Sequence, residues 1–246
     1  MTAVLLIGGS DSSGGAGLVR DVRTLSRLGV GALCALTAVT AQSDSEVTAV
    51  HPVPPAVLRA QIAAALATGR VRAIKIGMLG TRALVLAVAA SLPPRAPLPL
   101  VLDPVLAASS GGELLDAEGR VALRTALLPR ATVLTPNIPE AAALLGTHGA
   151  ASETELLGQG RELLALGPGA VLLKGGHASG AEASDFLLTR DGGVRRFSAP
   201  RSAITRRGTG CALASALAGG MAAGLGVAEA CARAKQHVTE LLQHGD

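Results

Sequence analysis

The segment Arg207-Gly208-Thr209-Gly210-Cys211-Ala212 opens an uncharged stretch of helical character. Free backbone N–H groups and the helix dipole at such a start form an anion site, and the glycines let a phosphate approach closely. The same field would lower the pKa of Cys211 and favour its thiolate; the alternative is a plain helix start with an inert core cysteine. Asp103-Pro104-Val105 and Asn137-Ile138-Pro139-Glu140 each follow an apolar run. Pro139 suits the first turn of a helix, so Asn137 and Glu140 are either an N-cap with its box partner or crevice ligands, and the two roles can coexist. Magnesium bound with a nucleotide takes one or two carboxylates and keeps waters, which makes Asp103 and Glu140 candidate ligands, direct or through water.

Lys174 ends the run Val171-Leu172-Leu173 and precedes Gly175-Gly176-His177. The chain has only three lysines among its 22 basic residues, and an ammonium here could meet a nucleotide phosphate or simply be a solvated strand end. Asp21, one turn into the first helix, and Gln42, in the loop after the second strand, are within reach of one crevice, although each is also an ordinary surface residue type.

The stretch GGSDSSGGAG, residues 8–17, leaves the first apolar run through five glycines. From Gly9 it meets the Gly-x-x-x-x-Gly spacing, but Gly15 and Ala16 stand where a P-loop has Lys and Ser or Thr. A dinucleotide fingerprint needs an acidic residue ending the next strand, and that strand ends in Leu36-Thr37-Ala38. A close-packing ligand loop and a simple strand-to-helix turn remain open.

These residues need elements to position them. Short Val/Ile/Leu runs alternate with segments of helical period, the pattern of a parallel sheet covered on both faces. The spacing predicts strands at residues 3–7, 31–37, 73–76, 100–102, 132–134 and 170–173, with weaker ones at 185–188 and 194–197. It predicts helices at 16–28, 54–67, 82–90, 116–127, 139–145, 152–166, 210–223 and 227–242. Ser152-Glu153-Thr154-Glu155 reads as a capping box, and the Pro-rich 92–99 as a stiff linker inside one domain. Ligands of such sheets bind at the carboxyl ends of the strands, and the segments after the strands hold most of the chain's Gly-rich and polar clusters. The expected architecture is a single α/β domain over residues 1–246.

Composition narrows the partners. The 246 residues are 49% hydrophobic, enough for a sizeable core, and the net charge is +4. With no Trp or Tyr and only Phe186 and Phe197, base-stacking platforms are missing, so no nucleic-acid partner is expected. The start MTAVLLIGGS lacks a basic n-region and a long apolar stretch, so a cytoplasmic protein is expected. Cys34, Cys211 and Cys231 are odd in number and far apart, which argues for reduced thiols over disulfides or zinc. Residues 211–228 are uncharged over a membrane-span length, but the Ala/Gly content and Ser215 favour a buried helix.

Together, GGSDSSGGAG with Asp21, TAVTAQ ending in Gln42, KIGML, VLDPV, TPNIPEA, LLKGGH and RGTGCALASA resemble, in order, the hydroxymethylpyrimidine/phosphomethylpyrimidine kinase family of thiamine biosynthesis, in the ribokinase-like superfamily. The resemblance runs from Ile7 to about Leu217. It implies a three-layer α/β/α sandwich, with Gly9, Asp21, Gln42, Met78 and Val105 forming the pyrimidine pocket. A carboxylate and an amide suit an aminopyrimidine's nitrogens. It further implies that Gly208, Thr209 and Gly210 stabilise the transferred phosphoryl group, that Asn137 and Glu140 organise Mg·ATP, that Lys174 contacts its phosphates, and that Cys211 stands where the superfamily has an aspartate base.

The implied reaction is in-line transfer of the ATP γ-phosphoryl group to a hydroxymethyl oxygen and then to the resulting monophosphate, with positioning supplying most of the rate. The second acceptor is already ionised, so that step should depend less on Cys211. The resemblance also implies a homodimer. Arg207 replaces a usual His and could pair with phosphate, Ala212 replaces Thr or Ser, and Val19-Arg20 replaces Gln-Ala. A pyridoxal kinase of the same superfamily and a non-catalytic pyrimidine sensor are the competing readings. Residues 109–112, Ser-Ser-Gly-Gly, are a candidate closing loop.

Overall fold

A computed structural model describes residues 2–92, 98–108, 112–175 and 181–244. The strands are β1 (Ala3–Asp11), β2 (Gly31–Gln42), β3 (Val47–Pro52), β4 (Val71–Ile76), β5 (Leu100–Leu102), β6 (Val133–Leu134), β7 (Ala170–Lys174), β8 (Glu182–Thr189) and β9 (Val194–Pro200). They form one sheet in the order β3-β2-β1-β4-β5-β6-β7-β8-β9. From β2 to β7 the pairing is parallel, and β3, β8 and β9 are antiparallel additions at the two edges. The helices are α1 (Gly17–Arg27), α2 (Pro55–Ala67), α3 (Arg82–Ser91), α4 (Ala117–Ala122), α5 (Ile138–Leu145), α6 (Glu153–Ala165), α7 (Thr209–Ala222) and α8 (Val227–His244).

Successive strand side chains point to opposite faces, and β1, apolar at every position from Ala3 to Ile7, therefore supplies both faces of the sheet. Leu5 and Ile7 pack with Leu58 and Ile62 of α2 and Leu84 and Val88 of α3, while Val4 and Leu6 pack with Leu25 of α1 and Leu213 and Leu217 of α7. The result is the expected three-layer α/β/α sandwich. The chain steps from β1 to β2 on one side and later from β3 to β4 on the other, so the strand order reverses between β1 and β4. A crevice at that reversal is where open α/β sheets bind ligands.

Four local expectations need correction. β1 continues to Asp11, so Gly8 and Gly9 are strand, because β2 continues alongside and pairs Ser10 with Val39 and Asp11 with Thr40. The edge strand β3 was not expected: its side chains are mostly exposed and it ends at Pro52, so no core-facing pattern marks it. The predicted helix at 116–127 is α only to Ala122, then passes through a π turn at Leu123–Leu127 and a 3-10 turn at Leu128–Arg130, where Pro129 has no N–H to continue an α-helix. The Ser152 box closes only halfway: Ser152 accepts from the Glu155 N–H, but Glu155 accepts from the Ala151 N–H instead of that of Ser152. Most of the Pro-rich linker (residues 93–97), Gly176, His177 and residues 109–111 of the candidate closing loop lie outside the described residues. Among the described residues no helix is long and apolar enough to cross a membrane, and the uncharged stretch after Cys211 is divided between α7 and α8.

Candidate active site

Beneath the crevice between β1 and β4 lies a buried ion pair. Lys75, the penultimate residue of β4, donates to Asp21 Oδ2 at 2.8 Å, with both side chains 1% exposed. Ser215 of α7 donates to the other oxygen, Oδ1, at 2.8 Å. Asp21, expected to pair directly with a ring, is thus sealed under the crevice with both carboxylate oxygens engaged. Burial raises its pKa against the opposing pull of Lys75 and Ser215. For Lys75 burial works downward, but Asp21, Cys211 and Asp103 outweigh it and hold the ammonium charged. Gly77 follows in β4's exit, where an added Cβ would stand 2.9 Å from Lys75 Nζ.

Cys211, partly buried in the first turn of α7, is close enough to feel this pair. Its thiol is pushed up to about 11 by burial, with Asp21 and Asp103 adding to the rise and Lys75 and the Gly17 N–H opposing it. The net shift is opposite to the expected lowering, because desolvation of the thiolate outweighs the pull of Lys75 and of the Gly17 N–H.

On the crevice floor Gly9 faces Met78: a Cβ on Gly9 would meet the Met78 sulfur at 2.8 Å. Glycine here is a matter of space. Gln42 ends β2 with its Oε1 accepting from Thr40 at 3.3 Å, while its Nε2 makes no hydrogen bond among the described residues. Its main chain is clamped to Ser12, which donates to the Gln42 carbonyl and accepts from its N–H, both at 2.8 Å. Val105 stands two residues past Asp103, its N–H turned back to the Asp103 carbonyl.

The next strands supply a charged cluster. Lys174 Nζ lies 2.7 Å from Asp103 Oδ1 and 3.6 Å from Glu140 Oε2. Glu140 and Asn137 form a complete capping box at the start of α5, each side chain accepting from the other's N–H at 2.8 Å. Asn137 is also bridged to Lys174 through the backbone. Burial would raise Asp103, but Lys174, Lys75 and Thr135 bring it below the usual carboxylate range; Glu140, farther from the ammonium, stays raised by burial. Lys174 is held charged by Asp103 and Glu140 against burial. Asp103 and Glu140 each keep one oxygen without a hydrogen bond among the described residues. Among the described residues no group of three or more His, Cys, Asp or Glu converges there, so the donor set fits an ion that arrives with phosphates better than a resident one.

Lys174 also reaches the start of α7, where a Cβ on Gly210 would lie 3.2 Å from Nζ. Gly208 caps α7 in a left-handed conformation, φ +73°, with no side-chain hydrogen bond. The N–H groups of Thr209, Gly210 and Cys211 therefore carry no side-chain cap, unlike those of α5. The opening loop is organised the other way. Asp11 sits inside it, accepting from Ser13 N–H and Oγ at 2.9 and 2.8 Å and from Ala16 N–H at 2.9 Å. A carboxylate occupies the place a phosphate would take, so the loop is a closed turn and no phosphate cradle.

Arg207 departs from expectation too. Its guanidinium donates to Asp11 Oδ2 (3.1 Å), Ser13 Oγ (3.0 Å), the Ser43 carbonyl (2.6 Å) and Asp44 Oδ1 (3.3 Å), all protein groups on the acceptor side. The spacing along the chain gives Ser215 and Asp11 no site role, and Lys75 stands out in it only as one of three lysines and within KIGML. A charged residue in a run that otherwise reads as buried strand, Ala73-Ile74-Lys75-Ile76, was the available signal for Lys75.

Residues 11–246 match the family described as phosphomethylpyrimidine kinase. The chain is 45% identical over 215 residues to the hydroxymethylpyrimidine/phosphomethylpyrimidine kinase of Salmonella typhimurium, covering 87% of this chain and 80% of the relative. The crystal structure of phosphomethylpyrimidine kinase from Clostridium difficile superposes with a TM-score of 0.85 at 36% identity, over 98% of this chain and 99% of the other. Pyridoxal kinase from Staphylococcus aureus, in complex with AMP-PCP and pyridoxal, superposes with a TM-score of 0.89 at 28% identity, over 99% and 88%.

Proposed function

This chain belongs to the phosphomethylpyrimidine kinase family, with a ribokinase-like fold, and from that premise we propose that it phosphorylates hydroxymethylpyrimidine and then its monophosphate for thiamine biosynthesis, using the crevice above the Lys75–Asp21 pair. The observation that carries the reading is the uncapped start of α7 beside Lys174: an anion hole and a fixed ammonium meet where a phosphoryl group must travel. Gly208, Thr209 and Gly210 receive the γ-phosphoryl group of ATP, Lys174 offsets its charge, and the Asn137–Glu140 box holds the nucleotide side in place. Asp103 and Glu140 receive Mg2+, directly or through water, and the ion would neutralise phosphate oxygens when bound. Gln42 offers its free amide N–H groups to a ring nitrogen, Gly9 and Met78 form the flat wall, and Val105 closes the apolar side. Asp21 contributes through Lys75, whose charge it fixes under Cys211.

In the first transfer the hydroxymethyl proton must go to a base, and Cys211 is the group at the acceptor end of the hole. A thiol at about 11 is protonated at neutral pH, so this step should accelerate with rising pH, while transfer to an already ionised phosphate should not. The experiment is ADP formation with Mg·ATP and, separately, the pyrimidine alcohol, its monophosphate, pyridoxal or no acceptor. Turnover of both pyrimidines is expected, with Cys211→Ala lowering the first step by about 100-fold or more and the second far less. Equal losses would remove the base role. The likeness to the Staphylococcus aureus pyridoxal kinase supports a second reading, and turnover of pyridoxal alone would select it. A cytoplasmic homodimer completes the proposal; light scattering of the purified protein tests the dimer.

A further inference from the structure

The guanidinium of Arg207 stands where three pieces of chain converge. Asp11 and Ser13 belong to the turn after β1, Ser43 and Asp44 to the turn between β2 and β3, and Arg207 itself immediately precedes the Gly208 cap of α7. Each piece leads straight to a reacting partner. Gln42 is the residue before Ser43 and is clamped to Ser12; Gly9 lies two residues before Asp11; the anion hole begins one residue after Arg207. Gly208 also packs so tightly on the opening turn that a Cβ there would collide with the Gly15 carbonyl oxygen. Asp11 is 3% exposed, and the Arg207 side chain 16%, so their contact is shielded from water and salt. The outer contact, to an Asp44 side chain that is 92% exposed, is not.

We propose that Arg207 is a positioning residue that holds the pyrimidine-binding end of β2 at a set distance from the phosphoryl hole, so that acceptor oxygen and γ-phosphorus meet in line. The proposal rests on Gln42 and Gly9 marking the acceptor side and residues 208–210 the phosphoryl side. A planar fork is suited to the task because it bonds several acceptors in fixed directions, which an ammonium on a flexible stem does not. Losing the strap leaves both half-sites intact but lets them drift, and a displacement of about 1 Å between reacting groups is enough for about a 100-fold loss of rate.

The test compares wild type, Arg207→Gln and Arg207→Lys in steady-state kinetics with the pyrimidine alcohol, measuring ADP and phosphorylated pyrimidine in the same reactions. Wild-type turnover of the alcohol is the check on the site reading itself; the ratios of variant to wild type belong to Arg207. The expected result for Arg207→Gln is a KM for the alcohol raised about tenfold, kcat lowered about 10- to 100-fold, KM for ATP unchanged, and more than one ADP per phosphoryl group found on the pyrimidine, counting one for the monophosphate and two for the diphosphate, as water replaces the drifting acceptor. Arg207→Lys should fall between, recovering the pair with Asp11 but not the span to Ser43. Should Arg207→Gln fail to fold, the lysine variant alone carries the comparison. A raised KM for ATP with the alcohol KM unchanged would make Arg207 a nucleotide ligand and overturn the proposal. A lower kcat with both KM values unchanged and one ADP still formed per phosphoryl group transferred would reduce Arg207 to a structural contact and overturn it equally.

Discussion

Cys211 illustrates how burial and field compete at a single atom. Its place in the first turn of α7 offers Lys75 and the Gly17 N–H to a thiolate, yet burial outweighs them and leaves the thiol at about 11. The consequence is measurable without substrate. In a Cys34→Ala, Cys231→Ala background, iodoacetamide modification of Cys211 should stay slow through neutral pH and rise with a midpoint near 11, against about 8.5 for a free cysteine. A midpoint below 8 would restore the activated resting thiolate. Lys75 and Asp21 are the other side of this balance: each is tolerable in the core only because the other is there, and Lys75→Met should cost about 3–5 kcal/mol in urea unfolding by leaving Asp21 without its cation.

At the scale of elements, the helix starts differ in how they are closed. Those of α3, α4, α5 and α6 are closed by Thr81, Asp116, Asn137 and Ser152, whose side chains accept from the first turn, whereas α1 and α2 start at Ala16 and Pro54 without a side-chain cap. That of α7 is also without a side-chain cap, and it alone of these starts behind a glycine in a left-handed conformation with the Lys174 ammonium beside its first turn. Gly208 is required twice over, by its φ of +73° and by the Gly15 carbonyl oxygen, which lies where a Cβ would stand. Gly208→Ala should therefore displace the start of α7, costing at least about 1–3 kcal/mol of stability and most of kcat. Gly146→Ala is the control: it has nearly the same φ, +72°, with nothing within 4 Å of its Cβ, and should lose stability alone.

For the molecule as a whole, the site sits at the strand-order reversal, and its charges oppose one another in acid. Asp103, with a lowered pKa, contributes stability that is present above the ordinary carboxylate range and lost as pH falls through its folded value, below about 4. Asp21 and Glu140, with raised values, contribute stability that is present below that range and lost as pH rises through their folded values. The two effects partly cancel. Asp103→Asn should thus be less stable than wild type at pH 6, yet lose less between pH 4 and 3, as read from urea midpoints; a steeper loss would mean that Asp103 is not depressed.

Much of this was legible in the amino-acid order. Alternating apolar runs and helical segments specified the layered α/β fold, since burial on both faces needs continuous apolar strands, and glycine, carboxylate and lysine at the strand ends marked the crevice. Local chemistry decided the Asn137–Glu140 box, whose partners are three residues apart. What only the tertiary structure decided involves partners distant in sequence: Lys75 with Asp21 across 54 residues, Ser215 with Asp21 and Arg207 with Asp11 across nearly 200. The pKa of Cys211 belongs to the same group, because desolvation depends on every atom packed around the thiol, and no spacing along the chain encodes how much water is left there.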